Sequence, residues 1–153
     1  MIDSNFNQSF FNPRSVAIVG ASSNSQKTGA RVQRFLVLHG YKGKIYPVNP
    51  NREEIFGFKC YSKLINIPQK IDHVFIAVDG NKIIDAIKDA VSMNIKCATI
   101  LSGGFSESGS EGLNLEKQVL HIARQGNLRI LGPNSIGIIN ISDSVVLSAN
   151  AML

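Results

Sequence analysis

Short apolar runs rich in β-branched residues alternate along this chain with segments of helical periodicity. The runs predict five strands, at residues 15–19, 44–48, 73–78, 97–101 and 128–131, and a possible further strand at 136–141. Apolar residues at i, i+3 and i+4 predict amphipathic helices at residues 28–39, 82–93 and 116–124. This alternation predicts an α/β fold, a Rossmann-like doubly wound parallel sheet with helices on both faces.

The size and composition of the chain indicate one domain. Its 153 residues are 44% hydrophobic, enough to bury a single core. We expect residues 1–12 to form an N-terminal arm on the surface and residues 13–153 to form the domain. The tail after Ile141 is more apolar than an exposed terminus requires, which indicates a piece of a longer protein. No apolar run reaches the roughly 20 residues of a membrane-spanning helix, so we expect no membrane partner.

Charge and cysteine usage narrow the class of partner. The chain has 16 Lys and Arg against 11 Asp and Glu, a net charge of +5, and the basic residues are scattered. This pattern favours a phosphorylated small molecule over nucleic acid.

Cys60 and Cys97 lie in unrelated contexts and are interpreted as buried free thiols of a cytoplasmic protein. His39, His73 and His121 lack the spacing of a metal site or a catalytic triad, so we predict no metal and no catalytic residue.

The loop after the first predicted strand has the composition of a phosphate-binding turn. In GASSNSQKTGA, residues 20–30, Gly20 ends the strand and the next glycine is Gly29, so the G-x-G-x-x-G spacing is absent. The backbone N–H groups and positive dipole of the following helix would meet a pyrophosphate. The loop also supplies two hydroxyls and a mobile cation, from Ser22, Ser23 and Lys27. The alternative is an ordinary polar loop in which Ser25 caps the helix.

The loop after the second predicted strand lacks the acid that NAD enzymes place there. In YPVNPNRE, residues 46–53, the chain offers Asn49, Asn51 and Arg52 where an Asp or Glu would bind the ribose hydroxyls. A planar guanidinium suits a phosphate on the ribose, as in NADP or in coenzyme A with its 3′-phosphate. In the alternative interpretation, the two prolines only shape a turn and Arg52 is a solvated charge.

The three remaining strand ends are less specific. Asp79 follows the third predicted strand and is interpreted first as a cap of the next helix. The fourth end, SGGFSESGSEG, has glycines around Phe105 and Glu107 and is flexible enough to lie along an extended ligand. The fifth end, LGPNSIG, exposes Ser135, which lacks the G-x-S-x-G context of a hydrolase nucleophile and is interpreted as a turn residue.

Taken in order, these segments resemble a known family. They are similar in order and spacing to the N-terminal CoA-binding domain of ADP-forming (NDP-forming) acyl-CoA synthetases, which are relatives of the succinyl-CoA synthetase α subunit. The segments that carry the resemblance are PRSVAIVGASSNSQKTGARV, GYKGKIYPVNPNREEIFGFKCYSKLINIP, DHVFIAV, GGFSESGSEG and RILGPNSIGIIN. The resemblance begins at residue 12 and extends to about residue 150. It implies a Rossmann-like domain that binds coenzyme A or acyl-CoA.

The resemblance also implies which residues hold the cofactor. The CoA phosphates would lie in the first loop, against Gly20, Ala21, Ser22, Ser23 and Lys27. The adenosine and its phosphate would lie beside Val48, Asn49, Asn51 and Arg52. The adenine and the pantetheine arm would pass Val78, Asp79, Leu101, Ser102, Gly103 and Gly104. The thiol end would lie near Gly132, Pro133, Asn134 and Ser135. Family members usually carry proline where this chain has Asp79, and an acid facing the polyanionic ligand would repel it.

For the complete enzyme, the resemblance implies an acid–thiol ligase that interconverts acyl-CoA, ADP and phosphate with the acid, ATP and CoA. There an active-site histidine carries the phosphoryl group, and an ATP-grasp domain passes it to ADP. None of the three histidines here stands in that phosphohistidine context, so we expect this chain to bind CoA without turnover and to need further domains or subunits. Three alternatives stay open: a stand-alone CoA-binding protein, the CoA-binding part of a protein lysine acetyltransferase, and an NADP-dependent oxidoreductase.

Overall fold

Nine strands occur in the part of the chain that the computed structural model describes, residues 4–151. In chain order they are β1 (Ser15–Val19), β2 (Lys44–Val48), β3 (Glu54–Ile55), β4 (Phe58–Lys59), β5 (His73–Ile76), β6 (Cys97–Ile100), β7 (Arg129–Leu131), β8 (Gly137–Asn140) and β9 (Val145–Ser148). Five of them form one parallel sheet in the order β2-β1-β5-β6-β7, and the other four form two antiparallel hairpins.

The same residues form four α-helices, which are α1 (Ser4–Phe11), α2 (Thr28–Leu38), α3 (Asn81–Ser92) and α4 (Ser110–Gln125). Single 3₁₀ turns occur at Leu64–Asn66 and Ser106–Ser108. Residues of α3 and α4 pack on one face of the sheet, and α2 packs on the other. The predicted doubly wound α/β fold is therefore confirmed.

Burial explains why the parallel strands read as continuous apolar runs. Every residue of β5 and β6 is buried, because helices or the second hairpin cover both faces of the sheet. The predicted runs at 73–78 and 97–101 extend beyond the observed strands, because Ala77 and Leu101 each donate one last backbone hydrogen bond to the adjacent strand and the chain then leaves the sheet. Apolar character alone does not mark the last paired residue.

The helix starts differ from two of the capping interpretations. The N-cap of α2 is Lys27 and that of α3 is Gly80, and neither helix has a side-chain cap hydrogen bond. The capping interpretations of Ser25 and Asp79 are therefore wrong. In addition, α4 begins six residues before the predicted start at residue 116, because its first turn is mostly exposed and carries no apolar stripe.

The last two strands form a separate layer. The possible strand at 136–141 is observed as β8, but it pairs antiparallel with β9 and does not join the parallel sheet. Val145 and Leu147 of β9 are fully buried against the α2 face, in one cluster with Leu36 and Phe75. Arg31 of α2 donates from Nη1 to the carbonyl of Ala149 at 2.9 Å. The apolar tail residues thus complete the core of this domain.

The N-terminal segment forms a helix that packs at the amino ends of the strands. In α1, the ring of Phe10 lies 5.7 Å from the ring of His73, the first residue of β5. His73 is fully buried, with Nε2 2.8 Å from Thr99 Oγ1 and Nδ1 3.3 Å from the carbonyl of Ser9. Burial lowers the pKa of His73 to about 4, so the imidazole is neutral at physiological pH.

Among the described residues, no helix combines the length and the apolar character needed to cross a bilayer.

Candidate functional site

A cavity of about 1270 Å³ opens at the carboxyl ends of β1, β2, β5 and β6. It lies at the point where the strand order reverses, because β1 pairs with β2 on one side and with β5 on the other. Ligands of open parallel sheets bind in this crevice. The structure brings together there these residues predicted from the sequence: Gly20, Ala21, Ser22, Lys27, Val48, Asn49, Asn51, Val78, Asp79, Leu101 and Ser102.

Two glycines allow the first loop to lie close to the sheet. Gly20 has φ +87°, and a Cβ there would lie 2.5 Å from the carbonyl oxygen of Ala77. A Cβ on Gly29, in the first turn of α2, would lie 2.2 Å from the carbonyl oxygen of Gly20. No side chain fits at either distance, so the backbone itself and the amino end of α2 form this wall of the cavity.

Hydrogen bonds within the first loop fix its shape. The N–H of Asn24 donates to Ser22 Oγ at 3.1 Å, and the N–H of Gln26 donates to Asn24 Oδ1 at 3.0 Å. Lys27 then donates its N–H to the carbonyl of Asn24 at 2.9 Å. The loop is thus preorganised, and its Lys27 side chain is exposed at the cavity.

Asn49 joins the ends of β1 and β2. Its Nδ2 donates to the carbonyl of Ala21 at 2.8 Å, and its Oδ1 accepts from the N–H of Asn51 at 2.9 Å. Both polar atoms of the Asn49 side chain are therefore engaged within the protein. Asn49 thus holds the two loops together, and its second N–H and second lone pair remain available.

Charge is unevenly distributed around the cavity. Among the described lining residues, the α2 and β2 side carries two exposed cations, Lys27 and Lys63. The α3 side carries acids interspersed with cations, namely Asp79, Lys82, Asp85, Lys88 and Asp89. The positive dipole of the α2 amino end adds to the first group. A multiply charged anion is therefore favoured near β1 and β2 and not near α3.

Several predicted residues lie outside the cavity lining: Ser23, Arg52, Gly103, Gly104, Pro133, Asn134 and Ser135. Ser23 and Arg52 are exposed and directly follow the lining residues Ser22 and Asn51. The others belong to the loops after β6 and β7, farther along the sheet from the switch point. Asn134 nevertheless connects to the lining, since its N–H donates to the carbonyl of Ser102 at 3.2 Å.

Sequence reasoning missed three cations of the lining, Lys63, Lys82 and Lys88. Lys63 precedes the 3₁₀ turn after β4 and reaches the cavity because Tyr61 forms a parallel bridge with Val48, which extends the β2 edge. No local pattern marks that bridge. Lys82 could have been found, since it lies in the first turn of the helix after the third strand of the sheet.

The cysteines are buried and free, as predicted. Cys60 Sγ lies 3.7 Å from the carbonyl of Asn49, and burial raises the pKa of its thiol. Burial also raises the pKa of Cys97, to about 12, with the charge of Asp72 adding to the shift. Both thiols are therefore protonated at neutral pH and are poor nucleophiles.

The strand order, the glycine-bounded loop and the cavity at the switch point define a nucleotide-binding α/β domain of the doubly wound class. The chain belongs to the CoA binding domain family, which it matches over residues 14–141. The resemblance inferred from the motifs is thus confirmed.

Relatives with similar sequences include two ligase proteins. The chain is 40% identical to "Acetate--CoA ligase [ADP-forming] II" of Archaeoglobus fulgidus over 138 residues, covering 90% of this chain and 20% of that protein. It is 38% identical to "Acetate--CoA ligase [ADP-forming] I subunit alpha" of Pyrococcus furiosus over 136 residues, covering 86% of this chain and 29% of that protein.

A solved structure shares the fold closely. The chain superimposes with a TM-score of 0.89 and 34% identity on a structure from Ca. Korarchaeum cryptofilum, described as a dinucleotide forming acetyl-coenzyme A synthetase 1 in complex with phosphate and ADP. The match covers 95% of this chain and 31% of that one. This chain therefore spans only between a fifth and a third of the length of these proteins.

Proposed function

We propose that this chain binds coenzyme A in the cavity at the switch point. The observation that carries the proposal is the backbone wall made by Gly20 and Gly29, where a Cβ at either position would collide with main-chain oxygen. A pyrophosphate requires such a close approach of main-chain N–H groups at a helix amino end. Membership of the CoA binding domain family supports this ligand over NADP.

The residues present fit the chemistry of coenzyme A. Ser22, Lys27 and the amino end of α2 would hold the 5′-pyrophosphate, and the lining is cationic on that side. Asn51, Arg52 and Lys63 would face the adenosine and its 3′-phosphate. Coenzyme A supplies the thiol that carries an acyl group. The chain's own contribution is to bind the nucleotide part and to orient the remainder along the ends of β5 and β6.

We further propose that the chain is the CoA-binding domain of an ADP-forming acyl-CoA synthetase. Support comes from the ligase relatives, which are three to five times longer than the matched region. Further domains or subunits would then supply the phosphohistidine and the ATP-grasp nucleotide site. The buried free thiols also agree with a reducing, cytoplasmic location.

Thermal unfolding with CoA, dephospho-CoA and NADP tests the proposal. A ligand that binds only the folded state raises Tm with its concentration. We expect the largest shift with CoA, a smaller one with dephospho-CoA, and little or none with NADP. A shift with NADP and none with CoA would contradict the proposed ligand.

A further inference from the structure

A chain of hydrogen bonds joins the loops that follow β5, β6 and β7. The Ser102 hydroxyl donates to the carbonyl of Val78 at 2.7 Å. The N–H of Asn134 donates to the carbonyl of Ser102 at 3.2 Å, and the N–H of Ser135 donates to the carbonyl of Ile100 at 3.2 Å. Because Val78 and Ser102 line the cavity, the exposed Asn134 is held at its edge through Ser102.

The carboxylate of Glu107 completes this network. Its Oε1 accepts hydrogen bonds from the N–H of Gly104 at 2.7 Å, the N–H of Phe105 at 3.2 Å and Asn134 Nδ2 at 3.0 Å. The hydrogen bond from Asn134 Nδ2 is the largest of the effects that lower the pKa of Glu107, to about 2. One charged oxygen thus connects the glycine-rich loop after β6 to the turn after β7.

This arrangement sets the orientation of the Asn134 amide. A carboxylate only accepts hydrogen bonds, so Asn134 must direct its NH₂ group to Glu107 and its Oδ1 elsewhere. That oxygen lies over Gly103, because a Cβ built on Gly103 would lie 2.6 Å from Asn134 Oδ1 and 3.1 Å from Glu107 Oε1. Glu107 therefore fixes a hydrogen-bond acceptor next to the backbone that follows Ser102.

We infer that Glu107 is a positioning residue for the pantetheine arm of the bound coenzyme A, and that it acts through Asn134 and the backbone of residues 103–105. This inference rests on the proposed function. The pantetheine arm contains two amides, whose N–H groups donate hydrogen bonds. The Asn134 oxygen, locked by Glu107, is an acceptor for such a bond. The nucleotide part of the ligand lies toward β1 and β2 and does not depend on Glu107.

The inference predicts a loss that depends on the arm of the ligand. Calorimetry would compare CoA with adenosine 3′-phosphate 5′-diphosphate, which is CoA without pantetheine. For Glu107→Ala we expect the CoA affinity to fall roughly tenfold while that for the fragment changes by less than about twofold. Glu107→Gln should lose less, because its oxygen still accepts from the backbone. Glu111→Gln, the same charge change on an exposed residue of α4, is the control and should leave both affinities unchanged.

A swapped pair separates positioning from simple loss of structure. Asn134→Asp places two carboxylates together, so CoA affinity should fall. Combining it with Glu107→Gln lets the new amide NH₂ at position 107 donate to the new carboxylate at position 134. The pair then again has one donor and one acceptor, and CoA affinity should recover toward wild type. Equal losses for CoA and the fragment, unchanged affinities in Glu107→Ala, or no recovery in the double variant would overturn the inference while leaving the proposed function intact. If the wild-type chain binds no CoA, both fail.

Discussion

At the scale of single residues, the first loop depends on the absence of two side chains. Gly20 adopts φ +87°, and a Cβ on Gly29 would lie 2.2 Å from the carbonyl oxygen of Gly20. Neither the positive φ of Gly20 nor the close packing of Gly29 is itself a contact with a ligand. Both set how closely the amino end of α2 approaches the cavity, and with it the field that a bound anion experiences.

Gly29→Ala should destabilise the protein, although alanine normally stabilises a helix relative to glycine by about 1 kcal/mol. The sign reverses because the added Cβ would lie 2.2 Å from the carbonyl oxygen of Gly20, a backbone atom that can shift only if the loop itself shifts. We expect a net loss of about 1–3 kcal/mol in the free energy of unfolding, measured in urea. Asn114→Ala, at an exposed position of α4, is the matched control and should be neutral or slightly stabilising. A more stable Gly29→Ala would contradict the packing described for the loop.

Arg52→Ala should weaken CoA binding by about 1–3 kcal/mol, the scale of a charge-assisted hydrogen bond. Dephospho-CoA should bind nearly as before, because the guanidinium would read the 3′-phosphate that this analogue lacks. Lys63→Ala is the informative comparison, since Lys63 lines the cavity and Arg52 follows the lining in sequence. If Lys63→Ala alone discriminates the two ligands in calorimetry, the lysine reads the phosphate and the Arg52 prediction is wrong.

At the scale of elements, β5 connects the cavity to the opposite end of the sheet. Its carboxyl end leads into Val78 and Asp79 at the cavity, while its first residue, His73, contacts α1 through Ser9 and Phe10. The strand is entirely buried. A titratable group held neutral at its start makes the stability of the domain depend on pH.

The free energy of unfolding should fall as pH drops from about 6.5 toward 4. Above that window His73 is neutral in both states; within it the unfolded chain binds a proton that the folded chain does not. Integrated over the whole shift, the loss is about 3 kcal/mol. Urea unfolding at about pH 7 and pH 5 covers part of that window and should show a loss of about 2 kcal/mol, both for wild type and for the exposed-site control His121→Gln. His73→Gln should remove most of that slope, and an unchanged slope would refute the assignment.

At the scale of the whole molecule, the two ends of the sheet have different roles. The carboxyl ends open into the cavity, whereas α1 covers part of the amino ends. His73 is buried at that second end, and neither His39 nor His121 belongs to the cavity lining. If the chain is part of a synthetase as proposed, its phosphoryl-carrying histidine would belong to another domain or subunit.

If the chain binds CoA as proposed, we expect it to form no ATP from acetyl-CoA, ADP and phosphate on its own. A luciferase assay at protein concentrations high enough to saturate with CoA checks this, with heat-denatured protein as the blank. ATP formation above that blank would contradict the proposed division of labour between this domain and the rest of a synthetase.

Part of this molecule follows from the sequence directly. The apolar, β-branched runs located β1 and β2 with the predicted bounds at both ends. Helix periodicity likewise located α2 and α3 to within a residue at each end. The candidate site residues after β1 and β2 could be predicted because ligands bind at the carboxyl ends of parallel strands. These features depend on local pattern and on general geometry.

Only the tertiary structure decided the rest, because it depends on contacts between residues distant in sequence. Three features have no local signature in the sequence: the antiparallel pairing of β8 with β9, the bridge that brings Lys63 to the cavity, and the hydrogen bonds of both polar atoms of Asn49. The same holds for Glu107, whose partner Asn134 is 27 residues away. Local periodicity reports which residues are buried and how each element is built. Which polar atoms meet across loops is set by how the elements pack, and that packing is where this site acquires its shape.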